Sequence, residues 1–442
     1  MAQEAAARDA GKAPLAPKAT HFPAKAKRVI FLAMEGGPSH LDTFDYKPKL
    51  TADDGKSYSK GRGFGGGKLM GSPWTFKKQG QSGLFISELF PEVGKLADDL
   101  CLLNGMHTDL PNHPQATLQM HCGLFQFPRP SVGAWVLYGL GTENANLPGF
   151  VTINPPASNG GPANYGSSFL PAIYQGTKIG GGQMVSNIRN PKQSTADQRT
   201  QLDFLQGLNR EAAERSGTNP AVEGLIESYE LAFRMQAELP RVIDLSKESK
   251  DTLSSYGIGG GSAPAYGPGP RGGGGTDGFG RQCLMARKLV EAGVRFVEVG
   301  KGGWDQHRNL KEDLAGNCAS IDKPIAALLK DLKQRDMLKD TLVVWGGEFG
   351  RTPYSQGDNG RDHNNKGYTM WMAGGGVKGG LTYGKTDEYG HEAVEGRTHV
   401  HDWHATMLAL LGLDHEKLTY RHAGRDMRLT DVKGNVAKGI FA

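Results

Sequence analysis

RVIFLAMEGGPSHLDTFD, residues 28–45, decides the fold. Six apolar residues, Val29 to Met34, follow a cluster of charge and stop abruptly at Glu35-Gly36-Gly37-Pro38. A continuous apolar run this short, closed by a turn signal, predicts a strand buried on both faces, as in a parallel sheet. Polar residues crowd in directly behind it: Glu35, Ser39, His40, Asp42 and Asp45.

The same grammar recurs along the chain. Strands are predicted at Leu100–Gly105, Gly149–Asn154, Val294–Val299, Thr341–Trp345 and Tyr368–Ala373. Helices are predicted after the Ser87 cap (ELFPEVGKLADDL), at His113–Gly123, as a pair over 196–238 broken near Gly217–Pro220, and at Gln282–Ala292, Cys318–Arg335 and Asp402–Leu411. Strands alternating with helices imply right-handed crossovers and a largely parallel sheet with helices on both faces, a three-layer α/β sandwich. Residues 51–83 read as a long loop, and GRGFGGGK within it lacks the spacing and the Ser/Thr of a phosphate-binding loop. Residues 155–190 and the low-complexity run 257–280 read as surface loops. The domain plan is an N-terminal arm, 1–27, disordered by composition, then one domain, 28–442, carrying a helical and Gly-rich insertion around 155–280.

With 442 residues, 38% of them hydrophobic, the chain has material for one large core. Fifty-one Lys and Arg against 46 Asp and Glu leave a formal charge of +5, too even for a nucleic-acid binder. No apolar run reaches the roughly 18 residues of a membrane span. The N-terminal residues show no apolar leader segment. Cys101, Cys122, Cys283 and Cys318 form no CxxC pair, which argues against zinc ribbons and thioredoxin-like redox chemistry; Cys101 and Cys283 lie in apolar runs and read as buried thiols.

In open parallel sheets, ligands bind beyond the carboxyl ends of the strands. The residues placed there are Glu35 and its neighbours; His107, Thr108, Asp109, Asn112 and His113; Trp304, Asp305 and His307; Glu348, Arg351 and Thr352; and Arg361, Asp362 and His363, just before a strand. Any one of them is more often a turn cap or a surface charge than a ligand, Asp42 and Asp45 for instance. Together they bring carboxylates and imidazoles from five loops to one edge. That donor set suits zinc, manganese, magnesium or iron, and one or two such ions suit hydrolysis of phosphate or sulfate esters.

RVIFLAMEGGPSHLDTFDYKPKL (28–50), GGWDQH (302–307), VVWGGEFGRTP (343–353), GRDHN (360–364) and HDWHATMLALLGLDHEKLTYRHAGRDMRLTD (401–431) resemble the domain of unknown function 1501 family. Its members are often labelled sulfatases, and its fold is that of the alkaline phosphatase superfamily. The resemblance runs from about Lys27 to the C-terminus. It implies an alkaline-phosphatase-like α/β domain and a divalent metal site (zinc, manganese, calcium or iron). It implies Glu35 as the first-strand acid, with Asp42 as a rival, Asp305 and His307 as a ligand pair, Glu348 as the surviving half of an acid–His pair whose second member is Phe349, and His363 as the isolated ligand. The sulfatase nucleophile motif is missing: Pro111-Asn112-His113-Pro114-Gln115-Ala116 holds no Cys, Ser or Arg. Formylglycine chemistry is therefore not expected. His113 is open as attacking group, ligand or base, Thr108 as a hydroxyl nucleophile, and Arg351 and Arg361 as holders of an oxyanion. His399, His401 and His404 fall on the last helix and read mainly as structural.

The expected function is metal-dependent hydrolysis of a small-molecule or glycan phosphate or sulfate ester. The rival expectations are a degenerate relative that binds an anionic glycan or a protein, and a phosphosugar mutase. The resemblance implies a periplasmic or secreted location.

Overall fold

The computed structural model describes residues 14–58, 67–180, 188, 190–216, 220–259, 275–357 and 359–442. A nine-stranded sheet forms its middle layer. The strands are β1 (Arg28–Met34), β2 (Leu100–His107), β3 (Phe150–Ile153), β4 (Thr177–Ile179), β5 (Phe296–Lys301), β6 (Thr341–Gly346), β7 (Tyr368–Ala373), β8 (Leu381–Tyr383) and β9 (Thr398–His399). Their order is β8-β2-β7-β6-β1-β5-β3-β4, with β9 paired to β2. β1 lies at the centre, parallel to β5 and β6, with Ile30 opposite both Val297 and Val343. Only β7 runs against its neighbours, so the sheet is mixed but mostly parallel.

The apolar run that predicted β1 splits by strict alternation. Ile30, Leu32 and Met34 enter one core, where they join Cys283 and Leu284 of helix α3 (Thr276–Glu291) and Leu314, Ile321 and Leu328 of α4 (Leu310–Gln334). Val29, Phe31 and Ala33 enter the other core. There they meet Trp135 and Val136 of α2 (Val132–Leu140) and Trp403 and Met407 of α5 (Val400–Leu410). A strand covered on both faces has no polar face to show, which is why its sequence carries no period-2 signal. Helix α1 (His113–Cys122) follows β2; Asn112 caps it by accepting from Gln115 N–H, and Gly123 closes it in the left-handed region at φ 71°.

Some expectations are corrected. The helix expected after Ser87 is only a turn, Pro91–Gly94, followed by a 3-10 turn, Ala97–Asp99. Ser87 ends a strand that pairs with Phe76–Gln79, inside the stretch read as loop. Pro91 explains the failure, since a proline is tolerated only in the first turn of a helix. The insertion around 155–280 also supplies β4, the edge strand of the sheet. Parts of four expectations lie outside the described residues: 59–66 of the Gly-rich loop, 181–187 and 189 of the loop read over 155–190, 217–219 of the helix break and 260–274 of the low-complexity run. The arm read as disordered is packed from residue 14 onward, while 1–13 lie outside the described residues. Lys18 N–H bonds Leu140 O, and Lys25 and Ala26 N–H bond Leu410 O at 2.8 and 2.9 Å. The arm thus satisfies carbonyls at the C-terminal ends of α2 and α5, which composition could not foretell.

His404 on α5 is fully buried, and its Nε2 lies 2.8 Å from Met120 O. Burial, then the neighbouring His401, pulls its pKa down to about 3. The unfolded chain takes up this proton below about pH 6.5, whereas the folded chain refuses it until about pH 3. Stability is therefore complete above pH 6.5 and is lost on acidification, by up to about 1.4 kcal/mol per pH unit for this one group. Replacement His404→Gln, which keeps a donor for Met120, is expected to flatten the fall in melting temperature between pH 7 and 5. An unchanged slope would show that another group controls it.

Candidate metal centre

Every loop that sequence patterning placed at the carboxyl edge arrives there, but with differing roles. His113, Asp305, His307 and His363 converge so that one ligand atom from each lies within 4.8 Å of the others. Asp305 Oδ1 is the common point. It stands 3.2 Å from His113 Nε2, 2.8 Å from His307 Nε2 and 3.2 Å from His363 Nε2. The Nε2 atoms of His307 and His363 are 2.8 Å apart.

The opposite ring nitrogens explain the convergence. His113 Nδ1 faces Glu348 Oε1 at 2.6 Å, His363 Nδ1 faces Pro111 O at 2.7 Å, and His307 Nδ1 faces the side-chain oxygen of Gln356. All three partners are acceptors, so each Nδ1 carries a proton and each Nε2 is left facing the centre, to take up a proton or a metal ion. Three lone pairs and a carboxylate oxygen at this spacing repel one another unless a positive charge lies among them. His113 Nε2 is also buried without a hydrogen-bond partner. The residues present therefore fit a divalent cation of the zinc, manganese or iron type.

The electrostatics point the same way. Burial pulls the His113 pKa down, but the carboxylates of Asp305 and Glu348 outweigh it and push it up to about 9. Burial alone would raise Asp305, yet the three imidazoles set close against it and the charge of Arg351 hold it far below the usual carboxylate range. His307 is raised by its bond to Asp305. This pocket favours added positive charge.

Beside the cluster lies a cleft of about 260 Å³ lined by Glu35, Gly36, His113, Asn159, Gly302, Gly303 and Asp305. Glu35 is not in the cluster. Its Oε1 accepts from Asn159 Nδ2 at 2.7 Å, and burial, against that bond, raises its pKa, with Glu348 adding to the rise. Gly36, at φ 116°, lets the loop after β1 touch the loop after β5: a Cβ there would sit 2.8 Å from Asp305 N.

Several assignments from sequence are corrected. Glu348 is wholly buried behind His113 and accepts from Gly36 N–H at 3.0 and 3.2 Å, so it orients a ligand instead of joining the cluster. Thr108 donates its hydroxyl to Gln119 Oε1 at 2.7 Å and is buried away from the cluster. Arg361 forms a fully buried fork with Asp42, at 2.8 and 3.1 Å, and also donates to Thr352 O. Arg351 is equally buried and gives its donors to Asp305 Oδ1 and to the carbonyls of Gly36, Gly37, Trp304 and Arg361. Both guanidiniums are fully buried and turned to acceptors within the protein, so neither faces the cleft as the holder of an oxyanion. Asp42, the rival to Glu35, is likewise consumed by Arg361. Phe349 packs its ring against both His113 and His363, with centroids at 4.8 and 4.6 Å. Sequence reasoning missed Asn159 and Gln356, single amides in loops without period or motif.

Replacing Arg361 with Ala strands the buried Asp42 carboxylate and is expected to cost about 3–5 kcal/mol. Denaturant unfolding checks this. A loss under 1 kcal/mol would return Arg361 to the list of groups free to meet a ligand.

Residues 26–441 match the family model "Protein of unknown function (DUF1501)", and the chain belongs to that family. No curated protein matches it. Among solved structures it is similar to the lipoteichoic acid synthase LtaP from Listeria monocytogenes: 10% identity, 97% of this chain and 80% of that one covered, TM-score 0.38. It is similar to the PsFucS1 sulfatase from Pseudoalteromonas sp., at 11% identity, with 94% and 70% covered and a TM-score of 0.37. The third is a protein in the alkaline phosphatase superfamily from Vibrio parahaemolyticus, at 10% identity, with 90% and 69% covered and a TM-score of 0.39.

Proposed function

We propose that this protein is a metal-dependent hydrolase of phosphate or sulfate esters that works without formylglycine. The observation that carries the reading is the convergence of three imidazole Nε2 atoms on Asp305 at the wall of an open cleft. A divalent ion held by Asp305, His307, His363 and His113 supplies Lewis acidity toward an ester oxygen. The chain's own residues do the rest. Arg351 fixes the direction of Asp305. Glu35, desolvated and facing the cleft, is placed to hold or give up a proton at the reacting oxygens, and Asn159 fixes its carboxyl. Arg351 and Arg361 are buried within the protein, so neither would meet an anionic ester.

A second reading, a relative that binds a glycan or protein without turnover, draws on the burial of both arginines and on the capture of the Thr108 hydroxyl by Gln119. The two readings part in one experiment: metal content by plasma mass spectrometry, followed by assays on aryl phosphates and sulfates with zinc, manganese, iron or calcium supplied. The hydrolase reading expects bound metal and turnover in the wild type, and loss of both in Asp305→Ala. Glu35→Gln should keep its metal and lose on the order of 100-fold in turnover, more steeply at the pH where the native carboxyl is protonated. A protein that takes up no ion sinks the proposal; one that takes up metal but turns over no ester leaves the binding reading.

A further inference from the structure

We infer that the centre takes one ion per chain, with His113 as a ligand held in place by Glu348 and not as the attacking group. The inference rests on the metal-centre reading above and deepens it. Glu348 is wholly buried, and its two oxygens receive Gly36 N–H, while Oε1 also faces His113 Nδ1. A carboxylate tied to backbone in this way cannot swing outward to meet a second ion. Glu35, the other acid a second ion would need, is drawn toward Asn159. Where a further donor would be required, Phe349 packs an apolar ring against His113 and His363. Among the described residues, His113, Asp305, His307 and His363 are the one group of three or more histidine, cysteine or acidic donors close enough to share an ion.

The same bonds decide what His113 can do. With Nδ1 spent on Glu348, only Nε2 is left, and it points at the oxygen shared by His307 and His363. A nitrogen committed there has no lone pair for an ester phosphorus or sulfur, so no covalent histidine intermediate forms. Glu348 is a positioning residue: as an acceptor behind a ligand it fixes the ring and raises its basicity. Four protein donors close a tetrahedral ion. Of the four residues, His113 and Asp305 line the cleft, so substrate access on that side calls for an ion that accepts five or six neighbours, such as manganese or iron.

The test uses the full-length protein loaded with manganese or zinc. Plasma mass spectrometry is expected to give one equivalent per chain, and X-ray absorption fine structure is expected to count three imidazoles. In His113→Ala the count should fall to two. Glu348→Gln, which keeps an acceptor for Gly36, should weaken metal affinity 10- to 100-fold while the melting temperature of the metal-free protein stays put. Two equivalents per chain, or three imidazoles and native affinity in His113→Ala, would overturn the inference and leave the metal centre standing. Because His113 is partly exposed, its variant remains informative even if Glu348→Gln fails to fold. Failure of any ion to bind would instead remove the metal centre itself, and this inference with it.

Discussion

The guanidinium of Arg351 spends its donors inside the protein. It bonds the carbonyls of Gly36 and Gly37 after β1, of Trp304 after β5 and of Arg361 in the hairpin before β7, and it reaches Asp305 Oδ1 at 2.7 Å. Taking a full charge out of water costs several kcal/mol. Such a group survives only where its planar fork is well supplied with acceptors, and here those acceptors come from three separate loops that must stand at fixed positions around it. Asp305 inherits that rigidity. The cluster is therefore built on an arginine that no ligand needs to touch.

Charge at this edge is sorted by depth. Two of its positive groups, Arg351 and Arg361, are buried and used as staples. The groups lining the cleft are acidic, amide or imidazole: Glu35, Asp305, Asn159 and His113. An anionic ester approaching such a wall meets repulsion unless a cation is already held there. A metal-dependent reading thus follows from where the arginines are not, as much as from where the histidines are.

The architecture was legible because burial writes itself into runs of apolar residues. VIFLAM, FVTI and TLVVW fall where two faces must be covered, and the rule that ligands gather beyond strand ends then located Asp305, His307, His363 and His113 together. Direction was not legible. Asp42 and Arg361 are 319 residues apart and meet as a buried fork, yet in sequence each looked available for chemistry. Glu348 sits directly behind a strand, as a ligand should, and the φ of Gly36 decides that its carboxylate is seized by backbone before it reaches the cluster. Thr108 fails for a similar reason: one glutamine, eleven residues on, takes its hydroxyl. Periodicity reports which face of an element is buried, whereas hydrogen-bond capture within a loop has no period to read.

The histidines of α5 show how a residue can serve this centre from a distance. His401 Nε2 lies 2.6 Å from Gly123 O, and His404 Nε2 lies 2.8 Å from Met120 O. Both carbonyls belong to the C-terminal end of α1, where a helix leaves acceptors without internal partners. In the same turn, His121 is pinned by the buried Glu298 of β5 at 3.3 Å. The far end of the same helix presents His113 at its first position. A helix of ten residues held at its last turn by three such contacts, and capped at its first by Asn112, has little freedom to pivot. The imidazoles of the last helix, read from the sequence as mainly structural, fix the axis along which His113 is aimed.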